Sequence, residues 1–373
     1  MKPVRSDGSS LPTEFRGIQT LRGLAACMVV AFHATQLWSE HVHANLTWAN
    51  GALGVDIFFV LSGFVMAYAT RTKKGGPHPA REFMERRLVR IVPLYWIVTA
   101  LTMLKLLAAK LVPRLENPGP HFNLSTGYVL CSLFFIPYRN SLNAIQPIVA
   151  VGWTLTYEMF FYVLFACALA LGISEVSFLG PIMIGLTALG VWHGGFQIAI
   201  GVWTSPLLLE FLAGVLIAHI VASGVRVWSW AAGIIAVASI VALCTLPAGI
   251  FFGFAWLSRE MFAILLVFGV VMLEAQIGKK IPRWAIWIGD ASYSLYLIHL
   301  LVFAIVVTLA AKMGLLRVGA IHLSAEVETV LLFMAPSILV SLALYRWVEA
   351  PINNALRRQL KLRNARLQPT TNP

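Results

Sequence analysis

Long apolar runs recur along nearly the whole chain and constrain its fold more than any other feature. The 373 residues are 59% hydrophobic and only 12% charged, with a mean hydropathy of +0.79. A soluble domain is roughly half apolar and a quarter charged. Backbone groups in hydrocarbon must bond within their own segment, so apolar runs of ~20 residues form membrane-spanning helices. We therefore predict an all-α, polytopic helical membrane bundle.

The apolar runs predict about ten transmembrane helices, with a short apolar segment at 126–137 that is better suited to a re-entrant or interfacial position. Three regions follow from this pattern: a cytoplasmic N-terminal segment, a transmembrane domain and a basic cytoplasmic tail that we expect to be disordered. These regions cover residues 1–17, 18–350 and 351–373. The ten helices are predicted at 18–38, 52–70, 88–112, 148–172, 176–192, 203–222, 227–247, 255–275, 284–309 and 325–348.

The basic residues are distributed in a way that predicts orientation rather than nucleic-acid binding. The net charge is +12, but the Lys and Arg side chains lie in short segments between the apolar runs. Most of the 28 fall on one side if both termini are inside, as the positive-inside rule requires. We predict a multi-pass membrane protein with both termini in the cytoplasm and no nucleic-acid partner.

Five ionisable residues stand inside the apolar runs: His33, Asp56, Glu158, Glu210 and His299. A charged residue at a helix centre costs ~2.5–3.5 kcal/mol on insertion scales, so such positions are functional candidates. Each one alone could equally be a polar link between neighbouring helices. Their similar predicted depths instead favour a common polar cavity.

Arg22 and His33 form the first candidate pair. They are eleven residues apart, close to three helical turns, which predicts ~16 Å of separation on one side of the first helix. Asp56 is predicted at a depth similar to that of His33. A carboxylate beside an imidazole fixes its tautomer and raises its basicity, as a general base requires.

A basic stretch before the third helix forms the second candidate. Arg86, Arg87 and Arg90 lie within about one helical turn of each other. Such a group could bind the phosphates of a cytoplasmic ligand, or could serve topology alone. The sequence contains no Walker or dinucleotide-binding glycine loop, which argues against a nucleotide hydrolase.

Six motifs in order resemble the acyltransferase-3 family of membrane proteins, and within it the exopolysaccharide acetyltransferases. They are LRG at 21–23 followed by His33, GVDIFFVLSGF at 54–64, RRLVRIVPLYW at 86–96, GWTLTYEMFFY at 152–162, SYSLYLIH at 292–299 and EAP at 349–351. Each motif alone is weak, but together they span nearly the whole chain. One position departs from many members of the family, because Met159 follows Glu158 where they have a second Glu.

The resemblance implies O-acetyl transfer from cytoplasmic acetyl-CoA to a hydroxyl of a carbohydrate or a lipid-linked carbohydrate, with membrane lipid as surroundings. It implies acetyl-CoA as a substrate, no permanently bound cofactor and no metal. It makes His33 and Arg22 the essential pair and assigns the cytoplasmic arginines to the donor. Our candidates are therefore His33, Asp56 and Glu158 for catalysis, Arg22, Arg86, Arg87 and Arg90 for acyl-CoA, and Trp153, Tyr293 and His299 for the pocket.

Other functions use similar residues. A proton-coupled transporter or flippase component would also need intramembrane acids and histidines, but it would favour interrupted half-helices and repeat symmetry, which the sequence does not display. A scaffold would tolerate the loss of His33. Two points stay open: whether His33 acts as a base or first carries the acyl group, and whether that group is acetyl.

Overall fold

A computed structural model describes residues 15–42, 47–72, 76–111, 124–141, 143–194, 199–246, 255–312 and 325–367. Residues 1–14 of the predicted N-terminal segment and 368–373 of the predicted tail lie outside these ranges. The described part is helical and contains no β-strand, only an isolated bridge between Arg139 and Ile145. The predicted all-α class is confirmed.

Fourteen α-helices are present in the described residues: α1 Arg16–Val42, α2 Gly54–Thr70, α3 Pro77–Leu111, α4 Thr126–Leu133, α5 Trp153–Leu171, α6 Glu175–Trp192, α7 Ile200–Trp203, α8 Leu208–Ala222, α9 Ser229–Thr245, α10 Ala255–Ile277, α11 Arg283–Asp290, α12 Ser292–Lys312, α13 Ala325–Leu344 and α14 Ala350–Leu367. Short 3₁₀ turns at Ala49–Leu53 and Ala150–Gly152 lead into α2 and α5.

Nine helical segments of the described chain are long and apolar enough to cross a membrane. The remaining predicted helix, at 227–247, corresponds to α9, which has 17 residues and lies at the lower limit for a span. It packs closely on α10, since a Cβ at Gly269 would lie 2.9 Å from the Ala232 carbonyl oxygen. The polytopic bundle is confirmed, and the orientation of the termini stays a prediction.

Two predicted helices are interrupted. The predicted helix at 284–309 is divided at Ala291, whose φ of −83° and ψ of 2° leave the helical range between α11 and α12. The predicted helix at 203–222 begins only at Leu208, because Pro206 cannot donate a backbone hydrogen bond in the turn before α8. Periodicity alone did not predict either break.

The expected disorder of the tail is wrong for residues 351–367, which form α14. Ile352, Leu356 and Leu360 recur every fourth residue and are half-buried, as one face of a helix requires. Arg363 also forms an ion pair with Glu85 of α3. Because most residues of the tail are charged or polar, this weak apolar stripe was not recognised as the buried face of a helix.

The chain divides into two compact units. The first unit contains α1, α2, α6, α8 to α12 and most of α13. Its helices approach closely through glycines: a Cβ at Gly54 would lie 2.2 Å from the Ala25 carbonyl oxygen, and one at Gly63 would lie 2.0 Å from that of Phe211. Side chains of α1, α12 and α13 form a buried core of Ala26, Val30, Ala34, Leu295, Phe303 and Phe333.

The second unit contains α3, α4, α5 and α14. Phe83 of α3 stacks on Phe165 of α5 with 4.9 Å between the ring centroids. The buried Tyr95 donates a hydrogen bond of 2.9 Å to the carbonyl of Ser132, which joins α3 to α4. These contacts fix the faces of α3 and α5 that carry the charged residues discussed below.

Candidate active site

Helix α1 carries Arg22 and His33 on a single uninterrupted helix, as predicted. Their spacing places them on one side of α1, ~16 Å apart along its axis. Arg22 donates from Nη1 to the Gln19 side-chain oxygen at 3.1 Å. The geometry expected for this pair is therefore present.

The beginning of α1 is bound to α10. Glu274, which is 7% exposed, accepts hydrogen bonds from the backbone N–H groups of Arg16 at 2.8 Å and Gly17 at 2.9 Å. The first N–H groups of a helix have no partner within it, and a carboxylate there also complements the helix dipole. Glu274 thus fixes the position of the helix that carries His33.

His33 lies against His299 of α12, and we call these two residues the histidine pair. Nδ1 of His33 is 3.2 Å from Nε2 of His299 and 3.0 Å from the carbonyl oxygen of Val29. Nδ1 of His299 is 3.1 Å from the carbonyl oxygen of Leu295. His299 has no exposed surface, whereas His33 is half-buried.

These partners determine where the protons of the histidine pair lie. A carbonyl oxygen can only accept, so Nδ1 carries the proton in both rings. Neutral His299 then has an unprotonated Nε2, which accepts from Nδ1 of His33. The remaining nitrogen of His33, Nε2, keeps its lone pair and makes no hydrogen bond with any described residue. His33 therefore presents a basic, nucleophilic nitrogen.

Aromatic rings surround the histidine pair. The Phe303 ring meets His299 edge-on at 5.5 Å, and Phe32 meets His33 edge-on at 4.9 Å. Tyr296 lies 6.3 Å from His299, centroid to centroid, and the predicted pocket residue Tyr293 is buried in the first turn of α12. This apolar surrounding leaves few competing hydrogen-bond partners, which strengthens the contact between the two rings.

The hydrogen bonds of His33 join it to Val29 and His299, and the predicted support of His33 by Asp56 stays a prediction. Asp56 is buried in the first turn of α2, at 7% exposure. Nδ1 of His33 points back along α1, where α12 packs, and His299 is therefore its partner. Glu210, the other predicted acid of this unit, is fully buried in the first turn of α8.

Glu158 belongs to the second unit, on α5. Its carboxylate accepts a hydrogen bond from the hydroxyl of Tyr162, one turn further along. The guanidinium of Arg87 lies 5.5 Å from the centroid of the Phe83 ring and 6.0 Å from that of Tyr162. Cations over aromatic faces are attracted by the ring quadrupole. Glu158, Tyr162 and Arg87 thus form one polar group between α3 and α5.

The predicted arginines differ in their contacts. Arg86 is exposed and forms an ion pair with Glu82, and it differs by 100° in direction from its neighbour Arg87. Arg87 instead interacts electrostatically with Arg90, Glu158 and, from α14, Arg357. Sequence analysis missed Arg357, since its helix was expected to be disordered. We call Arg87, Arg90 and Arg357 the arginine cluster.

The predicted pocket residues fall in different units. Trp153 starts α5 directly after a 3₁₀ turn, and its ring meets Tyr157 edge-on at 5.7 Å. Tyr293 and His299 belong to the first unit. Within the described ranges, no group of three or more His, Cys, Asp or Glu side chains has metal-binding geometry.

The chain matches the family described as Acyltransferase domain over residues 15–346. It is 34% identical to the exopolysaccharide production protein ExoZ of Rhizobium meliloti (strain 1021) over 86% of this chain and 93% of that protein. It is 28% identical to the O-acetyltransferase OatA of Staphylococcus aureus (strain NCTC 8325 / PS 47) over 41% of this chain and 24% of that protein.

Another partial similarity is to the peptidoglycan O-acetyltransferase OatA of Listeria monocytogenes, 32% identical over 23% of this chain and 13% of that protein. No solved structure matches the chain. The family match extends from the start of α1 to the end of α13 and includes the histidine pair. The chain therefore belongs to the acyltransferase-3 family and is a multi-pass membrane acyltransferase.

Proposed function

We propose that the protein is an O-acetyltransferase of a bacterial inner membrane. Its donor is cytoplasmic acetyl-CoA, and its acceptor is a hydroxyl of a surface or exported polysaccharide or of a lipid-linked precursor. The observation that carries the proposal is the set of contacts of the histidine pair, in which Nδ1 of each ring lies beside a carbonyl oxygen; the tautomer inferred from them leaves Nε2 of His33 unprotonated. The extensive similarity to an exopolysaccharide production protein supports the choice of acceptor.

In the proposed reaction, Nε2 of His33 removes the proton of the acceptor hydroxyl while that oxygen attacks the thioester carbonyl. The tetrahedral intermediate then loses the CoA thiolate, which takes the proton from the imidazolium of His33. The products are the acetyl ester and free CoA. His299 accepts from Nδ1 of His33 throughout, and so stabilises the cation and holds the ring in position.

A second route uses the same nitrogen as a nucleophile. Nε2 of His33 attacks the thioester and CoA leaves as the thiolate; the acyl-imidazolium then transfers its acetyl group to the hydroxyl, whose proton passes to the thiolate. Both routes balance with the same products. Brief reaction with labelled acetyl-CoA in the absence of acceptor distinguishes them, because only the second leaves label on the protein.

The arginine cluster provides the proposed donor site. Guanidinium groups form paired, charge-assisted hydrogen bonds with phosphates, which CoA carries at its nucleotide end. Arg22 keeps its proposed role in acyl-CoA binding. Asp56 and Glu158 keep the proposed role of supporting acids, and His299 contacts His33 directly.

The test is base-labile acetate on the surface polysaccharide of cells that carry the wild-type protein, His33→Ala or no protein. We expect acetate to fall to the same level in the last two. His219→Ala is a matched control, because Nδ1 of His219 also lies 3.0 Å from a carbonyl four residues earlier, while its Nε2 faces Glu175 at 3.6 Å.

Two results would contradict the proposal. Full acetylation with an inserted His33→Ala protein would exclude His33 as the catalytic residue. Unchanged acetate in cells without the protein would exclude a polysaccharide acceptor. Immunodetection in the membrane fraction shows that each variant is present at the same level.

A further inference from the structure

The basic C-terminal helix α14 is held against the arginine-bearing part of α3. Glu85 of α3 accepts from Nε of Arg81 at 2.7 Å and from the guanidinium of Arg363. The side chain of Asn353, at the start of α14, is buried. Helix α14 is therefore a packed part of the protein, and its positive charges have fixed neighbours on α3.

This packing brings Arg357 within electrostatic reach of Arg87. The charge of Arg87 is acted on by two other guanidinium groups, from Arg90 and Arg357, and by the carboxylate of Glu158. Glu158 also accepts the hydroxyl hydrogen of Tyr162. Three cations beside one carboxylate leave an excess of positive charge, and an anion bound there would relieve their mutual repulsion.

The side chains differ in how firmly they are held. Arg87 is half-buried over two aromatic rings, which orients its planar guanidinium. Arg357 is exposed and can adjust to a ligand that arrives from water. Arg86 offers no comparable group, because its guanidinium is engaged by Glu82. An oriented arginine with flexible ones beside it suits a ligand that carries several phosphates.

We propose that α14 forms part of the acyl-donor site and that Arg357 binds a phosphate of the donor together with Arg87 and Arg90. The inference rests on the proposed use of acetyl-CoA and extends it to a helix that lies beyond the family match, which ends at residue 346. It predicts that recognition of the phosphates depends on α14, whereas the chemistry at His33 does not.

The test compares Arg357→Gln with Arg358→Gln in the full-length protein, in native membranes or detergent. Both residues are exposed, but neighbouring helical residues differ by 100° in direction, and the charge of Arg357, not that of Arg358, acts on Arg87. We expect Arg357→Gln to raise the KM for acetyl-CoA about tenfold, as loss of a charge-assisted hydrogen bond does. The kcat should stay within about twofold, and Arg358→Gln should resemble wild type in both constants.

Acyl donors that lack part of CoA show which phosphate Arg357 binds. Acetyl-pantetheine lacks the nucleotide and its phosphates, so wild type and Arg357→Gln should have equal KM values for it. With 3′-dephospho-acetyl-CoA, a persisting difference assigns Arg357 to the pyrophosphate, and a lost difference assigns it to the 3′-phosphate. Equilibrium binding of CoA provides a second measurement that does not require turnover.

An unchanged KM for acetyl-CoA in Arg357→Gln would overturn the inference, and so would an equal rise with acetyl-pantetheine. Failure of the proposed function gives a different result. In that case the wild-type protein would transfer no acetyl from acetyl-CoA, or His33→Ala would retain full activity, whatever Arg357 does.

Discussion

The histidine pair and the arginine cluster differ in what holds them. The histidines are bound by backbone carbonyls of their own helices, at 3.0 and 3.1 Å, within an apolar surrounding. The arginines are linked by charge and by aromatic faces, and Arg357 is exposed. A group that transfers protons requires one tautomer, whereas a group that binds phosphates requires total charge. Substitutions in the first should therefore change kcat, and substitutions in the second should change the KM for the donor.

The largest effect is expected at His299. His299→Leu leaves the buried Nδ1 hydrogen of His33 with only the Val29 carbonyl as acceptor, and loss of a buried partner costs ~1–3 kcal/mol. We expect kcat to fall about 10- to 100-fold with little change in KM. His299→Gln, whose amide oxygen can replace Nε2 as acceptor, should recover most of the loss.

The comparison of His299→Gln with His299→Leu shows whether His299 positions the ring of His33 or only fills space in the core. If His299→Gln is as inactive as His299→Leu although both insert normally, the ring serves the core rather than His33. If His299→Leu raised the KM for acetyl-CoA without lowering kcat, the histidine pair would act in donor binding, as the arginine cluster is proposed to do. Initial rates over a range of acetyl-CoA concentrations measure both constants for each variant.

An intermediate effect is expected from two neighbouring arginines of α3. Arg87→Ala should raise the KM for acetyl-CoA about tenfold, because a charged hydrogen-bond donor is lost. Arg86→Ala should change it less than about twofold, since Arg86 forms an exposed ion pair with Glu82. Increasing salt should weaken donor binding less in Arg87→Ala than in wild type, since one screened contact is gone. Equal KM values for the two variants would show that α3 binds the donor with another face.

The smallest effect concerns the ion pair that holds α14. Arg363→Ala should raise the KM for acetyl-CoA about two- to fivefold, because exposed ion pairs contribute ~0–1 kcal/mol. Trypsin should also cleave after the exposed Lys361 faster than in wild type, since a loosened helix opens more often. Arg358→Ala serves as the control. Cleavage at the wild-type rate in Arg363→Ala would show that Glu85 does not hold the helix.

Local patterns in the sequence predicted the elements well. Apolar runs predicted the membrane-spanning helices of the described chain, and the spacing of Arg22 and His33 predicted their common side on α1. Tyr293 and His299 of the SYSLYLIH motif were expected to line a pocket; that role stays a prediction, and His299 contacts His33. These properties depend on periodicity and helix geometry, which neighbouring residues determine.

Long-range packing could not be predicted in the same way. The partner of His33 is 266 positions away, and Asp56 was chosen only from its depth. The separation of Arg86 from Arg87 could have been expected from the 100° turn between successive residues. The contribution of Arg357 depends on α14, whose half-buried Ile352, Leu356 and Leu360 were the available signal.

The attachment of α1 to Glu274 restricts which motions can admit substrates. Sliding α1 along its axis by one residue, ~1.5 Å, would stretch both backbone hydrogen bonds of 2.8 and 2.9 Å beyond their range. The same slide would separate His33 from His299. Helix α1 is therefore expected to shift only together with α10, so that the position of His33 is coupled to that of Glu274.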